Sequence, residues 1–403
     1  ANPQVMVISL SVLRILCLRP FGHILAWASW RLTTIFCCRP GLKTRQRHNR
    51  LKQSFSESPV GINLRRKLKQ KMKNPVVMSE IWRGPFLESV HYGHAVVCDD
   101  SGRVVKTWGD PDQIILPRSS VKMIQALPLI TSGAAEAHRL GPEHLALACA
   151  SHQGAAIHTD RVKSWLAALG KSDDDFRCGA QVPNDEAARH GLRDRGESPC
   201  QMHNNCSGKH TGFLTLAQHL NAGADYIDPA HPVQKACLEA FEMTTGATSP
   251  GYGIDGCSAP NFAAKLCDVA RAMAWYASAQ DRADSASVAA RKLVEAMMLH
   301  PELVAGEGRA CTDLMRAMSG AAAIKTGAEG VFVAILPEQR LGVALKITDG
   351  NTRASNSAIA ALLCALGVLE RDHPAAQKWM TPMITNWRGI ETGMIKPASA
   401  LTL

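Results

Sequence analysis

Several common features are missing from this sequence of 403 residues, and their absence narrows the class of protein. No uncharged apolar run reaches the roughly 18–20 residues that a membrane-spanning helix requires, so we expect no membrane partner. No glycine-rich phosphate loop or dinucleotide-binding motif occurs, which argues against a nucleotide cofactor. Hydrophobic residues nevertheless make up 46% of the chain and charged residues only 20%, which excludes a disordered protein.

Acidic residues are almost missing from the first 77 positions. Fifteen Lys and Arg residues stand there with one acidic residue, Glu57, and give a net charge of +14. Residues 78–403 hold 30 basic and 34 acidic residues, a net charge of −4. We therefore predict that residues 1–77 are a basic extension, disordered or outside the functional unit, with a targeting segment as the alternative. The functional domain is predicted to be 78–403, and its mild acidity argues against a nucleic-acid partner.

Paired cysteine motifs are also absent. The ten cysteines of residues 78–403 include no Cys-x-x-Cys pair, and a domain of this size does not need disulfide bonds. We expect mostly buried free thiols in a reducing compartment, and hence a cytoplasmic protein.

Segments typical of strands lie at the two ends of this domain, with helical segments between them. Residues 91–98 and 103–108 flank a turn that contains Gly102, and the apolar runs 330–336 and 341–347 flank a second turn. Apolar residues follow helical spacing at 120–130, 161–169, 232–245, 259–277 and 285–299, and a further helix is predicted at 355–370. This order predicts an α/β sandwich in which both ends of the domain share one sheet.

Two short motifs suggest serine–lysine chemistry. Ser119 and Lys122 form a Ser-x-x-Lys motif at a predicted helix start, where free N–H groups favour a serine alkoxide and a nearby lysine can act as a base. Lys325 begins a Lys-Thr-Gly motif, and Ser151 lies between the two. Penicillin-binding proteins and class A β-lactamases have such motifs in this order, although Ser151-His152-Gln153 departs from their Ser-Asp-Asn. The alternative is a chance occurrence of Ser-x-x-Lys.

Longer strings make the similarity more specific. Over residues 80–400 the chain resembles the rhizobial type II L-asparaginase family in the strings Pro117-Arg118-Ser119-Ser120-x-Lys122, Gln125-Ala126-Leu127-Pro128, Ala150-Ser151-His152, Asn204-Asn205-Cys206-Ser207-Gly208-Lys209-His210, Asp255-Gly256-Cys257-Ser258-Ala259-Pro260 and Lys325-Thr326-Gly327-Ala328-Glu329-Gly330. The resemblance implies a serine β-lactamase-like fold, with a central antiparallel sheet, helices on both faces and an inserted helical region. It implies hydrolysis of L-asparagine to L-aspartate and ammonia by a homodimer, with the catalytic pairs Ser119–Lys122 and Ser151–Lys325.

Metal ligands are suggested in two ways. The residues themselves place His203, Cys206 and His210 in one short segment, and all three are ordinary zinc ligands. The resemblance instead implies one zinc ion held by Cys206, Lys209 and the distant Cys311. A lysine binds zinc only as the neutral amine, so the metal would have to displace its proton. The alternative is two buried free thiols and a surface lysine.

Three further residues are weaker candidates for binding the substrate. Asp255 resembles a family acid that holds the α-amino group of asparagine, with a turn aspartate as the alternative. Asn204 could bond to substrate or close its own loop, and His210 could orient its neighbours. Two other functions stay open at this point. One is a penicillin-recognising acyl hydrolase, and the other is a non-catalytic zinc protein whose basic N-terminal arm contacts nucleic acid or an anionic membrane.

Overall fold

The computed structural model describes residues 74–401, so the predicted extension lies outside the described residues except for its last four positions. The strands are β1 (Val76–Arg83), β2 (Phe86–Asp99), β3 (Val104–Trp108), β4 (Ile114–Ile115), β5 (Tyr252–Ile254), β6 (Pro260–Phe262), β7 (Ala264–Lys265), β8 (Ala323–Gly327), β9 (Val331–Leu336), β10 (Leu341–Ile347), β11 (Met383–Thr385) and β12 (Glu391–Pro397).

The helices of the same residues occupy mainly the middle of the chain. They are α1 (Lys122–Thr131), α2 (Ala134–Ala137), α3 (Pro142–Ala148), α4 (Ala156–Ala168), α5 (Glu186–Asp194), α6 (Ser207–His219), α7 (Pro232–Thr245), α8 (Leu266–Ala277), α9 (Ser285–Leu299), α10 (Pro301–Val304), α11 (Ala310–Ala317), α12 (Thr352–Ala365) and α13 (Pro374–Met380). None of them is long and apolar enough to span a bilayer.

One antiparallel sheet joins the two ends of the described chain. Its strands follow the order β11–β12–β1–β2–β10–β9–β8, and β3 pairs with β2. β1 pairs with both β2 and β12, so an early hairpin and the last strands share the sheet, as predicted. The fold class predicted from the sequence, a mixed α/β fold with a central antiparallel sheet, is confirmed.

The centre of the sheet is covered on both faces. Every residue of β9 is buried, and successive side chains of a strand point to opposite faces, so each face must be packed. α8 and α12 both pack against β9 and β10. Gly342 of β10 lies so close to α8 that an added Cβ would overlap the backbone of Ala270 and Ala274. The helices α1, α3, α4, α6, α7 and α9 pack on one another and form the inserted helical region.

The predicted helix at 259–277 is wrong in its first part. Residues 260–262 and 264–265 form β6 and β7, and α8 begins only at Leu266. β6 pairs with β5, and the N–H groups of Leu266 and Cys267 bond to the carbonyls of Gln113 and Pro111. A helix start normally leaves such N–H groups without a helical partner. A distant segment therefore fixes where α8 begins, and local apolar spacing does not contain that information.

Candidate active site

The Ser-x-x-Lys motif lies in a tight turn that leads into α1. Residues 118–121 form a 3-10 turn, in which the N and Oγ atoms of Ser120 donate to the carbonyl of Pro117 at 3.2 and 2.7 Å. Strand β8 packs directly against this turn, because a Cβ added to Gly327 would lie 2.6 Å from Pro117 O. The Lys-Thr-Gly strand and the Ser-x-x-Lys turn therefore meet in space.

Ser119 and Lys122 have different surroundings within this turn. Ser119 is half-buried, and its hydroxyl makes no hydrogen bond to any of the described residues. Lys122 is completely buried, and its amine donates to the carbonyl of Ala150 and to Cys206 Sγ, the latter at 3.1 Å. The Lys122 amine thus connects the segment that carries Ser151 with the segment that carries Cys206.

The second predicted pair is joined by a direct hydrogen bond. Lys325 Nζ lies 2.9 Å from Ser151 Oγ, although the two residues are 174 positions apart in the chain. The same amine donates to the carbonyl of Thr326 at 2.9 Å. The backbone N–H of Ser151 donates to Val304 O, which fixes the start of this loop. Lys325 is fully buried and Ser151 nearly so, so the pair is shielded from water.

The amine of Lys325 is held close to its neutral form. The pKa of Lys325 is lowered to about 7, mainly by burial. The positive charges of Lys122 and Arg309 contribute to this lowering, while Cys311 and Cys206 oppose it. An amine with a pKa near 7 has a large free-base fraction at neutral pH and can accept a proton. Its hydrogen-bonded neighbour Ser151 is the group nearest to it for such a transfer.

The predicted metal residues are only partly brought together. Lys209 Nζ lies 3.1 Å from the Sγ atom of Cys257, a residue that sequence reasoning did not select. The Cys206 thiol and the Lys209 amine both lower the pKa of Cys257 well below its usual value, against the opposing effect of burial. Burial lowers the pKa of Lys209, but Cys257 and Cys206 outweigh it and raise that pKa above its ordinary value. Cys206, Lys209 and Cys257 thus form one buried, electrostatically coupled cluster.

Cys311, the third ligand expected from the sequence, has another environment. Its Sγ accepts a hydrogen bond from the backbone N–H of Thr326 at 3.3 Å, which places it behind the Lys-Thr-Gly strand. Of the two histidines considered from the sequence, His203 is directed away from the cluster, because its Nδ1 accepts from the N–H of Cys200 at 3.1 Å. His210 Nδ1 bonds to the hydroxyl of Tyr226 at 2.8 Å, and the His210 ring also interacts with Cys257 and helps to lower the pKa of that thiol. In residues 74–401 no group of three or more His, Cys, Asp and Glu side chains is arranged to hold a metal.

Asp255 lies beside the Ser119 turn through an ion pair. Arg118 Nε donates to Asp255 Oδ1 at 2.7 Å, and both side chains are largely buried. Arg118 adopts a positive φ of 54°, and its backbone N–H donates to the side chain of Asn261 at 3.2 Å. Because Arg118 directly precedes Ser119, this pair places opposite charges next to the candidate nucleophile. Sequence reasoning selected Asp255 but gave no role to Arg118 or Asn261.

Asn204, the second predicted binding residue, closes its own loop. Its side-chain amide donates to the carbonyls of Cys178 and Gly179, and its oxygen accepts from the N–H of Cys206. These three bonds use the side chain to shape the Cys206 segment, which was one of the two roles considered from the sequence.

Two buried histidines support the same region. His210, the third predicted binding residue, is fully buried between Tyr226 and Phe213. His152 Nδ1 accepts from Gly154 N, so its Nε2 carries the proton and donates to Ser207 Oγ at 2.9 Å. His152 thereby fastens the Ser151 loop to the start of α6.

Comparison with known proteins gives a family and a set of distant structural similarities. The sequence profile of the family described as L-asparaginase II matches residues 79–397. No curated protein matches the chain.

Among solved structures, the chain is similar to a β-lactamase from Mycobacterium bovis with 14% identity and a TM-score of 0.36, covering 68% of this chain and 94% of the other. A putative β-lactamase from Bacteroides dorei shows 9% identity and a TM-score of 0.38, with coverage of 73% and 94%. Mglu, in its tris and glutamate form, shows 14% identity and a TM-score of 0.37, with coverage of 74% and 64%.

Proposed function

The chain belongs to the L-asparaginase II family and is an amidohydrolase, and from this premise we propose that it hydrolyses the side-chain amide of L-asparagine through a serine acyl-enzyme. The family match confirms the resemblance inferred from the motifs. The single observation that supports the mechanism best is the 2.9 Å hydrogen bond between Lys325 Nζ and Ser151 Oγ. It joins a serine hydroxyl to a buried amine that can accept its proton.

We assign the attack to Ser119 and the proton acceptor to Lys325. Ser119 is the more exposed serine, and its hydroxyl is not held by a hydrogen bond from the described residues. Lys122 was expected to take its proton, but the Lys122 amine is already bonded to Ala150 O and Cys206 Sγ. The proton is therefore proposed to pass through Ser151 Oγ to Lys325. The charge of Lys122 assists by lowering the pKa of Lys325.

The proposed reaction balances in two steps. Ser119 Oγ forms a bond to the amide carbon, and its proton moves to Lys325. The bond from carbon to nitrogen then breaks, and ammonia leaves with a proton returned from Lys325. Water then attacks the ester carbon and gives a proton to Lys325. The bond from that carbon to Ser119 Oγ breaks, Lys325 returns the proton to Oγ, and aspartate is released.

Arg118 and Asp255 fit the two charges that asparagine carries. Asparagine has an α-carboxylate and an α-ammonium group, and these two side chains supply the opposite charges at one place beside Ser119. Arg118 uses Nε for Asp255, so its terminal nitrogens can meet a carboxylate. We propose that this ion pair opens to orient the amino-acid end of the substrate.

We also propose one zinc ion at Cys206, Lys209 and Cys257, in place of the set that contained Cys311. Two thiols and an amine are donors that zinc accepts, and the Cys257 thiol already ionises easily. The buried Lys209 amine must lose its proton to bind, so loading should release protons. Bound zinc would keep both thiols deprotonated, and the two thiolates would balance its two positive charges.

The proposed function is tested by comparing S119A, S151A and K325M with the wild type. Ammonia release from asparagine should fall at least about 10³-fold in S119A, the cost expected for loss of a nucleophile. A covalent aspartyl adduct trapped at low temperature should lie between Arg118 and Met123, and not in the peptide 140–161. Turnover of S119A close to that of the wild type would overturn the assignment, and an adduct on Ser151 would exchange the roles of the two serines. Nitrocefin serves as the comparison substrate for a penicillin-recognising enzyme.

A further inference from the structure

A cavity of about 630 Å³ is lined by Arg118 but not by its neighbour Ser119. His94 of β2 and Lys346 of β10 line it and are termed its floor. The lining is completed by residues of the segment 113–118 together with Pro75, Glu329 and Thr348. Neither Ser119 nor any other residue of the two serine–lysine pairs lines it. The cavity is therefore distinct from the serine–lysine pairs, but it shares Arg118 with the ion pair that we assign to asparagine binding.

Two hydrogen-bond donors share the floor of this cavity. His94 and Lys346 are directly opposite each other in the register of β2 and β10, so their side chains lie on the same face of the sheet. His94 is only 3% exposed, and its Nδ1 accepts the backbone N–H of Asp110 at 2.8 Å. The neutral ring therefore carries its proton on Nε2, and in the described residues this donor has no acceptor.

In the described part of the chain the neighbouring amine makes no ion pair, although the carboxylates of Glu329 and Asp349 act on it at longer range. Lys346 is half-buried, and its Nζ donates to the backbone carbonyl of Glu329. No carboxylate of residues 74–401 lies within ion-pair distance of it. A partly buried cation without a partner is costly, and a bound anion would remove that cost. The Glu329 side chain at the edge is exposed, so solvent and salt screen its repulsion of an anion.

The wall of the cavity, formed by residues 114–116, is apolar, in contrast to the polar floor of His94 and Lys346. Ile114 and Leu116 are 41% and 42% exposed, whereas Ile115 between them is buried in the core. This alternation is that of an extended segment, and Ile114, Ile115 and Leu116 all line the cavity. The site thus combines two donors at its floor with an aliphatic wall.

We propose that this cavity binds a small carboxylate that bears an aliphatic group, as a second ligand distinct from asparagine. The carboxylate would accept from Lys346 Nζ and His94 Nε2, and the aliphatic group would pack on Ile114 and Leu116. Arg118 lines the cavity and also holds Asp255, so an occupant changes the surroundings of the ion pair that we assign to asparagine binding. Binding itself does not depend on that assignment.

The experiment measures binding of 4-methylpentanoate to the full chain by calorimetry, with 4-methylpentanamide as the uncharged control. The acid should bind and the amide should not. K346M should weaken the affinity about tenfold or more, because a hydrogen bond to a charged group is lost. I114Q, a change at an exposed position, should weaken it as well, and K163M, which removes an exposed lysine of α4, should leave it unchanged.

Two further binding measurements distinguish this site from the reaction site. Binding of the acid should persist when aspartate is present at saturation and in S119A, so failure of the proposed reaction would not remove it. The proposal is overturned if the acid does not bind, if acid and amide bind equally, or if K346M and I114Q bind the acid as the wild type does. Loss of binding in the presence of aspartate would also overturn it, because the acid would then occupy the reaction site.

Discussion

The Lys325 amine is buried in the midst of other positive charges, and its ionisation should control the rate. Only the neutral amine accepts a proton, so kcat/KM for asparagine should rise with pH through an apparent pKa near 7. Arg309 contributes to lowering that pKa, so R309Q should move the rising limb to higher pH. R291Q removes an exposed arginine of α9 and should leave the limb in place. A limb that does not move in R309Q would contradict the assignment of the base.

The lowered pKa of Lys325 also makes the free energy of unfolding depend on pH. The folded amine loses its proton near pH 7, whereas the unfolded lysine keeps it up to about pH 10.5. Between these values the unfolded state binds more protons, so the free energy of unfolding rises with pH in this window. K325M lacks this contribution, and comparing the two proteins cancels the titration of the cysteines. Thermal unfolding at pH 7 and pH 9.5 should show the wild type gaining stability relative to K325M, and a constant difference would refute the shift.

The two possible zinc sites differ in one cysteine. The site proposed from the structure contains Cys257, and the site expected from the sequence contains Cys311. Cys257 lies 3.1 Å from the Lys209 amine, whereas Cys311 accepts a backbone hydrogen bond behind β8. C257S should therefore lose zinc affinity by at least about tenfold to a hundredfold, and C311S should keep it. Metal content after dialysis against a weak chelator measures this without any assay of activity. Zinc retained by C257S and lost by C311S would restore the set implied by the resemblance.

The Ser151–Lys325 contact was expected from sequence, but the contact of Cys257 with Lys209 was not. Ser119, Ser151 and Lys325 sit in motifs whose order reflects a common arrangement on the sheet, and the structure brings Ser151 and Lys325 together. Cys257 was part of a quoted motif, yet its contact with Lys209 depends on how the loop after β5 folds onto α6. No spacing in the sequence expresses that contact. Likewise, Arg118 became a candidate only when its ion pair with Asp255 was visible.

At the scale of elements, the chain is most predictable where burial is most uniform. β9 and β10 are nearly continuous apolar runs and were located within a residue of their observed limits. β1, β11 and β12 were missed because many of their residues are partly exposed, so their sequences carry little apolar signal. The limits of α7 and α9 were predicted correctly, and both begin at capping side chains or proline that mark a helix start.

The contact between β10 and α8 depends on one small residue. A Cβ at Gly342 would overlap the backbone of Ala270 and Ala274, which cannot move aside as a side chain could. G342A should therefore lower the free energy of unfolding by about 1–3 kcal/mol or more, the range for overpacked cores. G223A is the matched control, since no atom lies within 4 Å of its Cβ and the same unfolded-state effect applies. Chemical denaturation checks both, and equal stability of the two variants would contradict the close packing.

At the scale of the whole molecule, the net charge of +10 does not describe the part that carries the candidate chemistry. Residues 1–77 contribute +14, and the remaining residues contribute −4. The proposed reaction, the zinc cluster and the second cavity all lie within the described residues, from Pro75 onwards. Polyanion binding inferred from the isoelectric point would therefore concern residues that none of these sites uses.

Removing the basic extension should separate asparagine hydrolysis from binding to polyanions. A chain that starts at residue 74 should keep its kcat/KM for asparagine and its thermal stability, and it should leave a heparin column at much lower salt than the full chain. The starting point matters, because Val76 and Val77 pair with Gly93 and Tyr92 in the sheet. A chain that starts at residue 78 loses these two positions of β1 and should melt at a lower temperature. Loss of activity in the chain that starts at residue 74 would show that the extension takes part in the reaction.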